Sequence, residues 1–195
     1  MPGDWGRRTV VLDACVLVGT IRRHVLLSLA EAELFQPVWS PEILDETERA
    51  IPKALGRSDI PVSHHKNHAS RIRYLMGCAF PYASAHLVKN TFSQPALPDP
   101  DDTHVLALAQ QTEASIIVTE NLRDFPAKVL APLGVTAISA DHFAAFLCDH
   151  SPDTCMAAMT RLTQRINRQD VDWTAFLARM KQTGFRQFSA KLAAM

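Results

Sequence analysis

Four short apolar runs, each too brief to form a helix, most constrain how this chain can fold. They are residues 9–13 (TVVLD), 35–39 (FQPVW), 115–119 (SIIVT) and 135–139 (VTAIS). Their β-branched and aromatic side chains predict buried strands. Because segments with helical periodicity separate these runs, we expect an α/β domain with a largely parallel sheet flanked by helices. From residue 140 the pattern is helical only, which predicts a domain over residues 1–140 and a helical C-terminal extension over 141–195.

Local signals predict where several helices begin and end. One helix is expected from the end of the first run to about residue 33. Ser40 has the side chain of an N-cap and precedes a proline, which predicts a helix over 41–54. Ser63 is expected to cap the next helix, and a further helix is predicted over 102–112.

Composition excludes several classes of protein. The 195 residues are 47% hydrophobic and 21% charged, as in ordinary globular proteins and unlike disordered ones. The four cysteines are widely spaced and form no CxxC pair, which favours free thiols over a disulfide scaffold. No stretch has the apolarity and length of a signal peptide or a membrane span. We therefore expect a soluble cytoplasmic protein that does not contact a membrane.

The net charge of zero hides a segregation of charge along the chain. Residues 53–93 carry six Lys or Arg and one Asp, residues 99–149 carry eight acids and two basic residues, and the tail from residue 151 carries seven basic residues and three Asp. An acidic region between basic ones suits an enzyme that holds cations locally and a polyanion more broadly. Solvated helix faces are the alternative for either basic segment.

Asp13 directly follows the first apolar run. A carboxylate at the end of a buried strand loses hydration, so its charged form needs compensation. In open α/β sheets, ligands bind at the carboxyl ends of the strands. Asp13 is thus a candidate site residue, and capping of the following helix is the alternative.

A dense acidic run, Asp99, Asp101 and Asp102, precedes the predicted helix over 102–112. One acid is enough to cap a helix, whereas three like charges repel each other unless a cation lies among them. Asp102 lies three residues before Val105 and is expected on the buried side of the helix start. It is the candidate ligand, and Asp99 is a supporting residue. A capping role for the whole run is the alternative.

The helix over 41–54 carries four acids, of which Glu46 is the best placed. At 100° per residue, Glu46 borders the apolar stripe, whereas Asp45 and Glu48 point away from it. Glu42 lies one turn earlier on the same flank and is the reserve candidate. A surface pair between Glu46 and Arg49 is the alternative.

Thr119, Asn121 and Asp124 follow the third predicted strand. Because sequential βα units place their strand ends on one edge of a sheet, this loop can face the loop after Asp13. Polar residues in turns are common, so the grouping carries the inference. Oxygen ligands at this density suit Mg²⁺ or Mn²⁺ and not zinc. Such a site can activate water and stabilise the oxygens of a phosphodiester.

The sequence resembles the PIN-domain family, and within it the VapC-like toxins of bacterial toxin–antitoxin modules. The matching stretches are VVLDACVLV at Asp13, SPEILDETERA at Glu46, DPDDTHVLALA at Asp102 and VTENLRDFP at Asn121 and Asp124. The resemblance implies a Rossmann-like parallel sheet with acids gathered at one edge. It also implies Mg²⁺- or Mn²⁺-dependent endonucleolytic cleavage of RNA, usually by a homodimer that a cognate antitoxin silences.

One position departs from the family's common pattern. Many PIN proteins have Asp two residues after the Thr of the fourth motif, where this chain has Asn121. The TxNxxDF form leaves Asp124 as the nearby acid and leaves open whether one or two metal ions bind. The catalytic residues implied by the resemblance are Asp13, Glu46, Asp102 and Asp124, the first three as metal ligands, with Thr119 and Asn121 as orienting residues.

The basic segments suggest contacts outside the acidic site. Lys66, Arg71 and Arg73 are candidates to follow an RNA backbone. The C-terminal helices could close over RNA, bind the antitoxin or pack against the core, and we favour packing together with a partner contact. His64 and His68 lie one helical turn apart, but no further zinc ligand accompanies them, which favours a polar helix face or an RNA contact.

Four other functions compete with the ribonuclease. A haloacid-dehalogenase-like phosphatase needs a second Asp where this chain has Cys15, for which we expect structural burial. A phosphoacceptor receiver domain would not explain Glu46. A catalytically silent PIN scaffold or RNA-binding module stays open because of Asn121. A DNA nuclease is the nearest enzymatic alternative.

Overall fold

A computed structural model describes residues 8–57, 61–88, 95–166 and 172–195. The strands in this part are β1 (Thr9–Leu12), β2 (Gln36–Val38), β3 (Ile116–Val118) and β4 (Thr136–Ile138). The helices are α1 (Ala14–Val18), α2 (Thr20–Glu31), α3 (Pro41–Ala54), α4 (His65–Ala79), α5 (Thr103–Gln111), α6 (Ala127–Leu130), α7 (Ala140–His150), α8 (Pro152–Ile166), α9 (Trp173–Gln182) and α10 (Arg186–Ala193). None of the helices in these ranges has the length and apolarity needed to cross a membrane.

The four strands form one parallel sheet in the order β2-β1-β3-β4, which confirms the α/β fold expected from the sequence. In the central strand β1, Val10, Val11 and Leu12 have no exposed surface. Helices on both faces of a parallel sheet explain why its strands are continuous apolar runs and do not alternate with polar residues. Because β1 and β3 are direct neighbours, their carboxyl ends lie side by side.

The segment after β1 forms two helices, so the single continuous helix expected there is wrong. The backbone of Gly19 is extended, with φ −72° and ψ 123°, and it separates α1 from α2. Arg23 of α2 is 4% exposed, and its Nη1 donates hydrogen bonds to the carbonyl oxygens of Leu17 (2.6 Å) and Val18 (3.1 Å). The buried guanidinium thereby satisfies carbonyls that the end of α1 leaves without helical partners.

The helix starts agree with the sequence at Ser40 and differ at Ser63. The Ser40 side chain accepts a hydrogen bond from the Ile43 backbone N–H at 3.3 Å, which confirms it as the N-cap of α3. Ser63 lies within a 3₁₀ turn, Val62–His64, and α4 begins after that turn with no side-chain cap. The prediction that Ser63 caps this helix is therefore wrong.

The helices after residue 139 share one apolar core with the sheet. Phe143 of α7 has no exposed surface and contacts Phe35 edge to face, with ring centroids 5.0 Å apart. Phe188 of α10 belongs to the same continuous cluster of buried side chains as Leu12 of β1. The C-terminal helices therefore pack on the sheet domain, and the division of the chain at residue 140 stays a prediction.

Truncation of Phe143 should test this shared core. We expect Phe143→Ala to lower the free energy of unfolding by about 3–5 kcal/mol, because it leaves a cavity between α7 and Phe35. Urea unfolding measures the loss. Tyr82→Ala is the matched control, since Tyr82 is 98% exposed, and it should change stability by no more than about 0.5 kcal/mol. A Phe143→Ala variant as stable as the Tyr82 control would contradict the shared core.

Candidate active site

Asp13 and Thr119 meet where the sheet ends. The ladder continues one residue beyond the strands, because the Asp13 backbone N–H donates to the Val118 carbonyl (3.1 Å) and the Thr119 N–H donates to the Ile138 carbonyl (3.0 Å). The Thr119 hydroxyl then donates to Asp13 Oδ2 at 2.7 Å. Asp13 is 3% exposed and Thr119 is fully buried. Strand pairing thus holds a buried carboxylate against a buried hydroxyl.

The contacts of Asp13 do not include a helix cap. Asp13 occupies the N-cap position of α1, but its side chain makes no capping hydrogen bond. It accepts instead from the Cys15 thiol, with Sγ 3.0 Å from Oδ2. Burial, reinforced by the charge of Asp13, raises the pKa of Cys15 to about 12, so the thiol keeps its proton at neutral pH. The capping alternative for Asp13 therefore does not explain this carboxylate.

Asp102 precedes α5, and its side chain makes no capping bond either. Asp99 takes the capping role in this run, since its Oδ1 accepts from the Asp101 backbone N–H at 3.0 Å. Asp102 Oδ2 is buried and has no hydrogen-bond partner among the described residues. Burial raises the pKa of Asp102 to about 6, and the charges of Asp13, Asp99 and Asp124 add to the effect. Asp102 therefore lies in a field of negative charge.

Glu46 reaches the same group of acids from α3. Burial raises its pKa, the charges of Asp13 and Asp101 raise it further, and His104 opposes the shift. Glu46 Oε2 lies 3.6 Å from His104 Nε2, and the Glu46 side chain is 34% exposed. Glu42 is exposed in the first turn of α3. Of these two acids, Glu46 is the one that the structure brings to Asp13.

The turn after β3 supplies Asp124 and Asn121. The Asn121 N–H donates to the Thr119 hydroxyl oxygen at 3.0 Å, and the Asp124 N–H donates to the Asn121 carbonyl at 3.0 Å. Asp124 is half-buried and close enough for its charge to raise the pKa of Asp102, whereas Asn121 is exposed. The fourth acid of the site, beside Asp13, Glu46 and Asp102, is therefore Asp124.

The basic residues proposed for RNA contact have different surroundings. Lys66 and Arg71 are exposed on α4. Arg73 forms ion pairs with two acids of α3, Asp45 and Glu48, the latter at 3.0 Å. The Arg73 guanidinium therefore links α4 to α3, and it pairs with the acids that flank Glu46 in sequence.

His104 does not follow from the sequence reasoning, which predicts only structural burial for Cys15. His104 lies in the first turn of α5, two residues after Asp102, and it contacts Glu46. The Cys15 thiol contacts both Asp13 and the Thr119 hydroxyl, the latter at 3.3 Å, and accepts from the Glu120 N–H at 3.2 Å. The signal for both is spacing, because each lies two residues after a candidate acid.

The side chains present fit a divalent cation by their chemistry. In the part of the chain that the structure describes, no three His, Cys, Asp or Glu side chains are close enough to hold an ion jointly. The unpaired buried oxygen of Asp102 and the neighbouring carboxylates nonetheless form a hard oxygen donor set. Mg²⁺ commonly keeps several water ligands and binds through one or two carboxylates, so this set fits a partly hydrated ion.

Acids gathered at the carboxyl edge of a parallel α/β sheet lie where such folds bind their ligands, and carboxylates there can hold the metal ion of a hydrolase. The sequence profile of the PIN domain matches residues 9–123, more than half of the chain. The protein therefore belongs to the PIN domain family, whose members are generally nucleases that use divalent metal ions and act on nucleic acid. Comparisons with curated proteins and with solved structures found no match.

The raised pKa of Asp102 predicts how stability depends on pH without divalent cations. Its pKa rises from an ordinary 3.8 to about 6 on folding. Between these values the unfolded chain loses a proton that the native state keeps, so the contribution of Asp102 to stability falls as pH rises. Asp102→Asn removes this penalty. Urea unfolding should therefore show the variant gaining stability over the wild type between pH 4 and pH 7.5.

Asp153→Asn is the control, because Asp153 is exposed on α8. Its stability difference from the wild type should not change over the same pH range. Parallel pH profiles for Asp102→Asn and the wild type would show that the Asp102 carboxyl is not strained by burial and like charge.

Proposed function

We propose that this protein is a Mg²⁺- or Mn²⁺-dependent endoribonuclease that acts in the cytoplasm as the toxin of a toxin–antitoxin module. One observation carries the proposal. Asp13, Glu46 and Asp102 come from three separate segments, and the charge of Asp13 raises the pKa of both other acids. Membership of the PIN domain family supports a nuclease at this position of the fold.

Each acid has a defined part in the proposed reaction. Asp13, Glu46 and Asp102 would hold the ion, directly or through water. A bound divalent cation would supply activation of water and neutralisation of charge on the oxygens of the phosphodiester. Thr119 fixes the orientation of Asp13 through its 2.7 Å hydrogen bond. Asp124 adds a fourth carboxylate beside Asp102.

The supporting residues position the acids. Asn121 anchors the turn that carries Asp124, because its N–H donates to the Thr119 hydroxyl and its carbonyl accepts from the Asp124 N–H. Asp99 shapes the turn before Asp102 by capping it. Glu42 stays a reserve ligand one turn before Glu46.

The RNA backbone is proposed to follow the exposed basic side of α4. Lys66 and Arg71 are exposed there, and α4 packs against α3, the helix that carries Glu46. Lysine and arginine contacts to phosphates give affinity without sequence preference. Arg73 supports this arrangement by holding α4 on α3 through its ion pairs.

The partners are proposed from the resemblance to VapC-like toxins. We infer a homodimer in the active form and a cognate antitoxin that silences it. The C-terminal tail carries seven basic residues against three acids, which suits an acidic segment of the antitoxin. A small DNA-binding protein encoded directly upstream would support the toxin assignment. Its absence would weaken that assignment and leave the nuclease assignment standing.

Cleavage of RNA by site variants tests the enzyme directly. In Mn²⁺ or Mg²⁺, we expect Asp102→Asn and Glu46→Gln each to lower the cleavage rate by about 100-fold or more, since each removes a charge from the reacting centre. Glu42→Gln should lose much less than Glu46→Gln. The exposed Asp153→Asn serves as the unaffected control. Chelation should abolish cleavage, and Mn²⁺ should restore it.

Three outcomes would change the assignment. An Asp102→Asn variant that cleaves as fast as the wild type would show that these acids are not the active site. Equal cleavage of matched RNA and DNA strands would make the protein a general nuclease. Binding of Mn²⁺ with no cleavage of any RNA would indicate a silent PIN scaffold.

A further inference from the structure

His104 has one ring nitrogen in a fixed hydrogen bond. Its Nδ1 lies 2.7 Å from the Asp101 carbonyl oxygen. A carbonyl can only accept, so Nδ1 carries the proton in this contact. In the neutral imidazole, Nε2 therefore holds the lone pair. The side chain is 17% exposed, so the ring is held with this orientation at the start of α5.

The other ring nitrogen of His104, Nε2, lacks a hydrogen-bond partner among the described residues although it is buried. Glu46 Oε2 lies 3.6 Å away, beyond hydrogen-bond length. A lone pair on the buried Nε2 opposite a carboxylate oxygen is unfavourable, because two acceptors face each other with no donor between them.

A cation between these two atoms removes the conflict. The 3.6 Å separation is shorter than two metal–ligand bonds of about 2.1 Å each, so one ion can contact both. The bond from Nδ1 to a backbone carbonyl is also the usual outer contact of a metal-binding histidine, where it fixes tautomer and ring orientation. The geometry and the hydrogen bonding of His104 both fit a metal ligand.

We propose that His104 Nε2 is a nitrogen ligand of the divalent cation, beside Glu46, and that it favours Mn²⁺ over Mg²⁺ at this site. The proposal rests on the metal-dependent function proposed above and adds a ligand of a different type to it. Both ions take mainly oxygen ligands, but Mn²⁺ is a first-row transition metal and tolerates an imidazole nitrogen better than the harder Mg²⁺ does. Asp13 and Asp102 supply carboxylate oxygens that either ion accepts, through bound water where they lie beyond direct reach.

An ion pair is the competing explanation for the same contact. A protonated His104 would attract Glu46 across 3.6 Å with no metal involved. The two explanations differ in one measurable respect, because only the metal ligand places an imidazole nitrogen in the first coordination sphere of Mn²⁺. Electron spin-echo envelope modulation detects a directly coordinated ¹⁴N, independently of catalytic activity.

The experiment uses the full chain, free of any histidine tag, loaded with Mn²⁺ at pH 8. We expect ¹⁴N modulation of directly bound imidazole in the wild type and its loss in His104→Gln. The affinity of His104→Gln for Mn²⁺ should fall at least about tenfold, with a smaller loss for Mg²⁺. His150→Gln is the matched control, because His150 lies at the opposite end of α7 from the sheet edge. It should keep both the modulation and the affinity.

The outcomes separate this proposal from the function on which it rests. Suppose that Mn²⁺ binds the wild type without ¹⁴N modulation and does not bind Asp102→Asn. This result would overturn the role of His104 and leave the metal site intact. Modulation that persists in His104→Gln would also overturn it. No Mn²⁺ binding to the wild type would overturn both. Thermal unfolding of each variant verifies that it is folded.

Discussion

The buried carboxylate of Asp13 is the constraint around which the site is organised. It ends the central strand of the sheet, it is 3% exposed, and its hydrogen bonds come from a hydroxyl and a thiol. Neutral donors offset only part of the cost of removing a charged carboxylate from water. The parallel sheet fixes the position of Asp13, so the charge cannot move towards solvent. Further acids nearby then increase the cost.

The site acids differ from the other acids of the chain in how they are compensated. Arg73 pairs with Asp45 and Glu48, and Arg165 pairs with Glu31. Within the described residues, no Lys or Arg forms an ion pair with Asp13 or Asp102. This lack of a basic partner is what the cation site proposed above requires. Burial and the charges of neighbouring acids accordingly raise the pKa values of Asp102 and Glu46.

The sequence predicts those features that depend on short-range patterns. All four strands, the parallel sheet and the Ser40 cap follow from local hydrophobicity and helix-start signals. The break at Gly19 does not, because it depends on a buried arginine that bonds back to the end of α1. The ion pairs of Arg73 also escape sequence reasoning, since they join residues more than twenty positions apart.

For the site, residue type and position relative to the strands predict that Asp13, Asp102 and Asp124 lie close together. The pKa of Asp102, which the charges of the other two raise, reflects that proximity. The role of His104 depends on which ring nitrogen faces Asp101, which only three-dimensional geometry reveals.

Anomalous diffraction from crystals grown with Mn²⁺ tests most directly the central claim, that these acids bind a divalent cation. The account predicts a manganese peak within ligand distance of the carboxylates of Asp13 and Asp102. Well-ordered crystals in which Mn²⁺ binds elsewhere, with no peak at Asp13, would contradict it.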